Sequence, residues 1–281
     1  MTFPDISPFV FGLQYNGIGI RWYALAYIVG LLLAWRLAMV LTARPKLWAG
    51  ETPPYQPEKA ETLLFMLTLG VILGGRLGFV LFYNWDFYSQ NPAEILKTWQ
   101  GGMAFHGGLI GVVVGGLVFC WLNKAPILST ADSIAAGVPF GLLFGRIANF
   151  INGELWGKPG DVPWAMQFPR ANPLTGQRDW TNLTEPRHPS QLYEAGLEGL
   201  LLMIILLLLA FKGGLKRPGL VAGVFLFGYG VARFVVEFWR DPNPGLDCVT
   251  PLCLQMGQVL SLPMVGAGLL IVGFAMKRGA K

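Results

Sequence analysis

The feature that most constrains this chain is a series of uninterrupted apolar stretches. Residues 200–211 read LLLMIILLLLAF, without one charged side chain. A helix needs about 20 mostly apolar residues to cross the hydrocarbon core. Seven segments meet that need: 21–42, 62–83, 104–122, 132–152, 191–211, 219–239 and 258–276. A run as long and uniform as 200–211 does not fit the alternating pattern of a membrane β-barrel. The expected fold class is an all-α integral membrane protein with seven transmembrane helices. Residues 1–281 form a single polytopic domain, and residues 153–190 form a small loop subdomain between the fourth and fifth spans. Asp5 and the short apolar stretch Phe9–Leu13, with no basic cluster before it, do not read as a cleavable signal peptide. The first span is expected to stay in place as a signal anchor.

Composition excludes the other classes. Hydrophobic residues make up 53% and charged residues 13%, where globular domains carry about 25% charge. Mean hydropathy is +0.50, so the chain is not disordered. Three cysteines in 281 residues are too few for a disulfide scaffold. A net charge of +5 from scattered basic residues does not predict a nucleic-acid partner. The two histidines, His106 and His188, stand far apart, and no carboxylate set lies at ligand spacing, so no metal is expected. No nucleotide-binding motif follows a strand, and no cofactor is expected.

Loop charges set the expected orientation. Arg44, Lys46, Lys59, Lys124, Lys212, Lys216, Arg217, Lys277, Arg278 and Lys281 fall on one side. Short loops on the other side hold Lys97, Arg240 and the border residue Arg21. The C-terminus is therefore expected in the cytoplasm and the N-terminus outside. The long outer loop adds Lys158, Arg170, Arg178 and Arg187, but long loops count little in this rule. Its prolines and Trp156, Trp164 and Trp180 suit either a lid over a site or an interfacial cap on the bundle. Glycines at spacing four (Gly74/Gly78, Gly107/Gly111/Gly115, Gly141/Gly145, Gly219/Gly223) predict close helix packing.

Ionisable residues within spans are costly, near +2.5–3.5 kcal/mol for arginine at the helix centre. Arg36 can snorkel to the inner interface. Arg76, Arg146 and Arg233 fall in the outer thirds of their spans, and Glu198 lies within the fifth. Asn149 and Glu237 lie one turn further out, and Asn152 and Glu154 follow at the mouth of the fourth span. Tyr23 and His106 sit at the outer ends of the first and third. Arg146 and Asn149 share a helix face, and Tyr229, Arg233 and Glu237 form one stripe. Arg233 pairing with Glu237 would alone make both tolerable. Two guanidiniums at headgroup depth otherwise suit a phosphate-bearing lipid. His106, flanked by Gly107 and Gly108, offers a general base or a plain structural hydrogen bond. His188 is expected to order the entry to the fifth span.

The segment Gly145-Arg146-Ile147-Ala148-Asn149-Phe150-Ile151-Asn152-Gly153-Glu154-Leu155-Trp156-Gly157 resembles the signature of the bacterial phosphatidylglycerol–prolipoprotein diacylglyceryl transferase family. Residues 101–111 (GGMAFHGGLIG), 187–194 (RHPSQLYE), 237–240 (EFWR) and 21–23 (RWY) resemble further blocks of it. The resemblance covers nearly the whole chain. It implies an enzyme of the bacterial inner membrane that moves the diacylglyceryl group of phosphatidylglycerol to the lipobox cysteine of a preprolipoprotein signal peptide. A thioether forms and glycerol 1-phosphate leaves. It also implies that Arg146 and Arg233 engage the phosphate, that Asn149, Glu154 and Gly157 belong to the essential signature, and that Tyr23, His106, Tyr229 and Glu237 match functional positions. Asp132, near the inner end of its span, is a weaker match. Ala148 stands where the family often has glycine, and Cys248 and Cys253 are not a family feature.

This chemistry suits the residues. Free cysteine has a pKa of about 8.5, so His106 would take the thiol proton. Charge developing on the departing phosphate would meet Arg146 and Arg233. The site is expected near the periplasmic leaflet, with the bilayer supplying both substrates laterally. Cys248 and Cys253, in the last outer loop, are expected to form a local disulfide. A transporter or channel for a lipid or anion is the alternative, because a polar layer between helices can line a path. The nearly apolar inner halves of the spans argue against a continuous one.

Overall fold

The computed structural model describes residues 1–13, 18–172, 178–241 and 254–278. Its helices are α1 (Trp22–Thr42), α2 (Lys59–Tyr83), the short α3 (Trp85–Gln90), α4 (Phe105–Asn123), α5 (Ile127–Asn152), α6 (Ser190–Phe211), α7 (Leu220–Val236) and α8 (Met256–Arg278). All of these except α3 and α7 are long and apolar enough to cross a bilayer. The chain is thus a helical, multi-pass membrane protein.

Two boundaries differ from expectation, each for a physical reason. The fourth span starts at Ile127, after the extended Pro126, rather than at 132. Ser129 and Thr130 fall before the expected start, yet both are buried, which hydroxyl side chains in a helix tolerate. The sixth segment, expected over 219–239, holds only the 17 residues of α7, about 25 Å long. Gly219 precedes it at φ 93°, and Glu237 takes the C-cap.

Helix pairs form where small residues let backbones meet, because lipid gives no hydrophobic drive between helices. α2 and α4 interlock through Gly70, Gly74 and Gly78 against Gly107 and Gly111; a Cβ on Gly78 would lie 2.7 Å from the Gly107 Cα. Gly115 continues the seam against the backbone of Met66. α1 lies along α5, where Gly30 meets Gly141 and Ala34 meets Gly137. α7 packs on α8, with Gly223 and Gly230 facing Val272 and Val265. The Gly141 backbone thus packs as expected, but the Cβ side of Gly141 and of Gly145 is open: a Cβ on either would meet nothing within 4 Å. Gly219 departs from the packing expectation, since it caps a helix rather than lying inside one.

At one end of the bundle, Trp48, Leu41, Leu206, Leu215 and Val221 form a buried core, and the Trp48 indole donates to the Leu41 carbonyl at 2.9 Å. Beside it the Asp132 carboxylate accepts from the backbone N–H of Gly219 (2.7 Å) and of Ala222 (2.8 Å). Gly219 has no side chain to cap α7, so a residue of α5 satisfies the free N–H groups of its first turn. Asp132 is thereby a structural carboxylate far from Arg146.

At the opposite end, Phe9–Leu13 (β1) pairs antiparallel with Ile18–Arg21 (β2), and Pro169–Ala171 (β3) with Arg178–Leu183 (β4). The N-terminal residues join the second hairpin. The Met1 ammonium donates to the Ala165 carbonyl at 2.7 Å, and Phe3 N–H to that of Gln167 at 3.1 Å. Phe3 is buried among Phe150, Phe168 and Trp180, and Trp156 stacks on Phe168. Arg178 crosses beneath, donating to the carbonyls of Ile6 and Ile151.

Candidate active site

The signature segment owes its shape to the end of α5. Gly153 adopts the left-handed conformation (φ 64°, ψ 34°) that ends the helix, a geometry glycine takes without steric cost. The chain then doubles back. The Asn149 amide donates to Glu154 Oε1 at 2.9 Å, and the Asn152 amide reaches the same oxygen at 3.3 Å. Gln191 at the start of α6 donates to the Glu154 carbonyl at 2.6 Å, which brings α6 against α5.

That docking assembles a charge cluster. Arg146 Nη1 on α5 lies 3.1 Å from Glu194 Oε2, and its Nη2 lies 3.6 Å from Glu198 Oε2. Arg233 Nη1 on α7 donates to Glu194 Oε1 at 2.9 Å, and its Nη2 lies 2.7 Å from Glu237 Oε2 as an ion pair. Arg240 donates to Glu194 Oε1 at 3.2 Å. Burial, and then the adjacent Arg233, lower the Arg240 pKa, but a guanidinium stays charged at any physiological pH. Three cations therefore gather on three carboxylates. The Glu194 side chain is 2% exposed and that of Glu198 0%, whereas Arg146, Arg233 and Arg240 keep 18%, 16% and 23%. The anions are sealed and the cations open, and each guanidinium carries five donors. The pairing of Arg233 with Glu237 alone, one reading of the sequence, is thus only part of its environment.

Glu198 sits in a π-helical stretch, Ala195–Leu201. Such stretches are frequent at functional sites. Gly199 lets this stretch lie directly on α5: a Cβ there would come within 2.7 Å of the Leu143 Cα.

Through Arg146 the cluster meets a cavity of about 630 Å³ between the α1/α5 and α2/α4 pairs. Arg146, Asn149 and Tyr23 line its polar end, and its walls are otherwise almost wholly apolar. It continues down to Ala38, Ala60 and Ser133. Tyr27, Leu31, Ile72 and Phe105 are wall residues also exposed on the outside of the bundle, so the cavity has a lateral side.

The family profile described as prolipoprotein diacylglyceryl transferase matches residues 8–274. The chain belongs to this family. It is 53% identical to the phosphatidylglycerol–prolipoprotein diacylglyceryl transferase of Ruegeria pomeroyi, over 97% of this chain and 96% of the relative. Enzymes of the same name from Rhodopseudomonas palustris (49% identity; 99% and 93% covered) and Brucella anthropi (45%; 100% and 96%) are also similar.

Among the residues singled out from the sequence as family positions, Arg146, Arg233, Glu237, Asn149 and Glu154 meet in or beside the cluster. Tyr23 lines the cavity and its hydroxyl accepts from Tyr27 at 3.2 Å. Tyr229 stacks on Phe225, one turn before Arg233 on α7. Gly157 is a backbone joint. Its N–H donates to the His188 carbonyl at 2.8 Å, it bridges to Arg240, and a Cβ there would strike the Trp239 and His188 carbonyls. His106 stands exposed in the first turn of α4, edge-on to the Phe105 ring at 5.7 Å; Phe105, not His106, lines the cavity. His188 holds the Tyr193 hydroxyl at 3.0 Å at the entry to α6. Arg76 spends its donors on the carbonyls of Glu94, Ile95, Lys97, Gly101 and Gly102 and stacks on Tyr88. It organises the loop before α4. Cys248 and Cys253 lie outside the described residues.

Two members of the cluster escaped the sequence reading. Glu194 and Arg240 both fall in family-like blocks, but nothing in one sequence says that a carboxylate of α6 meets arginines of α5 and α7.

Proposed function

We propose that the guanidiniums of Arg146 and Arg233, joined by Arg240, hold the phosphate of phosphatidylglycerol while its diacylglyceryl group passes to a prolipoprotein. Family membership makes the chain a diacylglyceryl transferase acting on these two substrates. The lipobox thiol, as thiolate, attacks the glycerol carbon bonded to the phosphate oxygen. The S–C bond forms, the C–O bond breaks, and glycerol 1-phosphate carries away the electron pair. His106 accepts the thiol proton. Preorganised cations at the departing phosphate lower the barrier because they need no rearrangement as charge develops.

The observation that carries this reading is that Arg146, which shares Glu194 with Arg233 and Arg240, lines the polar end of a deep apolar cavity. Headgroup and acyl chains find matching surroundings there in one step. In this reading α7 completes seven crossings and the Arg146 end faces the periplasm. Residues 153–190 form a head on that side, and the enzyme lies in the bacterial inner membrane. A transporter is not favoured, because the cavity's charged lining, Arg146, lies at one end and the walls below it are almost wholly apolar.

The test is transfer of labelled diacylglycerol from phosphatidylglycerol to a lipobox peptide by purified protein. Thioether formation and stoichiometric release of glycerol 1-phosphate are expected. Lipid movement across vesicles without thioether would overturn the reading.

A further inference from the structure

Gly141 and Gly145 differ from the α2/α4 seam glycines on the side where a Cβ would stand, although the Gly141 backbone itself packs against Gly30. At Gly70, Gly74, Gly78, Gly107, Gly111 and Gly115 an added Cβ would strike backbone, so those glycines serve contact. Gly141 and Gly145 line the cavity, and an added Cβ would meet nothing within 4 Å. Glycine in a helix interior costs stability relative to alanine. Here that cost has no return in packing on the open side, and what it leaves is space.

The space lies on the path an acyl chain would take. Gly145 directly precedes Arg146, and Gly141 is one turn deeper. Between Tyr23 and Ala38, α1 rises about 22 Å, more than one leaflet of roughly 15 Å. The lower end is bounded by Trp35, Ala38, Ala60 and Ser133. Resting on the functional reading above, we propose that Gly141 and Gly145 determine acyl-chain specificity. Their bare backbone admits a long, straight chain past the mouth of the cavity, and the residues at its lower end set where the chain stops.

The experiment compares wild type with Gly145→Leu, Gly141→Leu and the alanine substitution at each site. Each is assayed for transfer from phosphatidylglycerols with long, medium and short acyl chains. The Leu variants are expected to lose long-chain transfer by about 10-fold or more, the scale of discrimination in apolar pockets, and to retain short-chain transfer. The alanine variants should melt no lower than wild type. Native mass spectrometry of the same proteins with long- and short-chain lipid reads the preference without turnover. It therefore separates failure of this proposal from failure of the assigned reaction. Equal losses at every chain length, or no loss at any, overturn the proposal. Leu variants that do not fold also overturn it, because the wall would then be packed rather than open.

Discussion

Arg146 and Arg233 reach opposite oxygens of one carboxylate, Glu194 Oε2 at 3.1 Å and Oε1 at 2.9 Å. Two helices are thus held at a fixed guanidinium spacing before any substrate arrives. Lysine cannot reproduce a planar fork. Arg146→Lys and Arg233→Lys should each insert and fold, yet lose transfer by about 10²-fold or more. Initial rates on detergent-purified protein, with circular dichroism as the folding control, check this. Normal rates in both would reduce the arginines to structural ion pairs.

Removing the shared anion should act differently. Glu194→Gln leaves Arg146, Arg233 and Arg240 repelling one another, and losing one member of a buried pair costs about 3–5 kcal/mol. The variant should melt well below wild type. Added phosphatidylglycerol should raise its melting temperature more than that of wild type, because lipid phosphate would replace the missing charge. Thermal scans with and without lipid measure the difference.

The closest backbone contacts of the α2/α4 seam should tolerate no side chain. An alanine at Gly111 would press its Cβ into the Gly70 carbonyl, and such overpacking costs about 1–3 kcal/mol. Gly111→Ala should lower the melting temperature, whereas Gly145→Ala should not. Parallel melts of the two variants decide it.

Arg76 tests the loop that presents His106. Arg76→Lys replaces a fork spanning five carbonyls with a single ammonium. The helices should persist while residues 91–102 become protease-sensitive. Limited proteolysis followed by mass mapping reports the site of cutting.

His106 is separable from scaffold roles by pH. If its imidazole takes the thiol proton, His106→Gln should be impaired by about 10²-fold at neutral pH. It should recover as pH rises through the free thiol pKa of about 8.5, since solvent then supplies thiolate. Wild type should gain far less. Parallel rate–pH profiles would remove His106 as the base.

Much of the architecture was legible because span length and apolarity are local properties. The ends of α1, α2 and α6 fall within a few residues of expectation. The start of α5 was not legible, because the polar Ser129 and Thr130 ahead of residue 132 turn out to be buried. Arg146 and Arg233 stood out as charges that lipid cannot tolerate alone. Their shared partner Glu194 lies at a helix entrance, where a carboxylate is unremarkable. Arg76 drew the same attention for the same reason, although among the described residues its donors serve backbone carbonyls. The glycine spacing identified the α2/α4 seam correctly but could not separate it from Gly141 and Gly145, since the two uses of glycine differ only in what stands opposite.

The cap that Asp132 places on α7 has a geometric corollary. Arg146 follows Asp132 by fourteen residues along α5, and Arg233 follows Gly219 by fourteen along α7. Both helices climb from one hydrogen-bonded datum, and at 1.5 Å per residue each arrives about 21 Å above it. The two arginines are level because two equal rulers share a zero mark. A one-residue insertion in either helix between mark and arginine would add about 1.5 Å of height and turn the side chain by about 100°, leaving every local sequence motif intact while the pair no longer faces one phosphate.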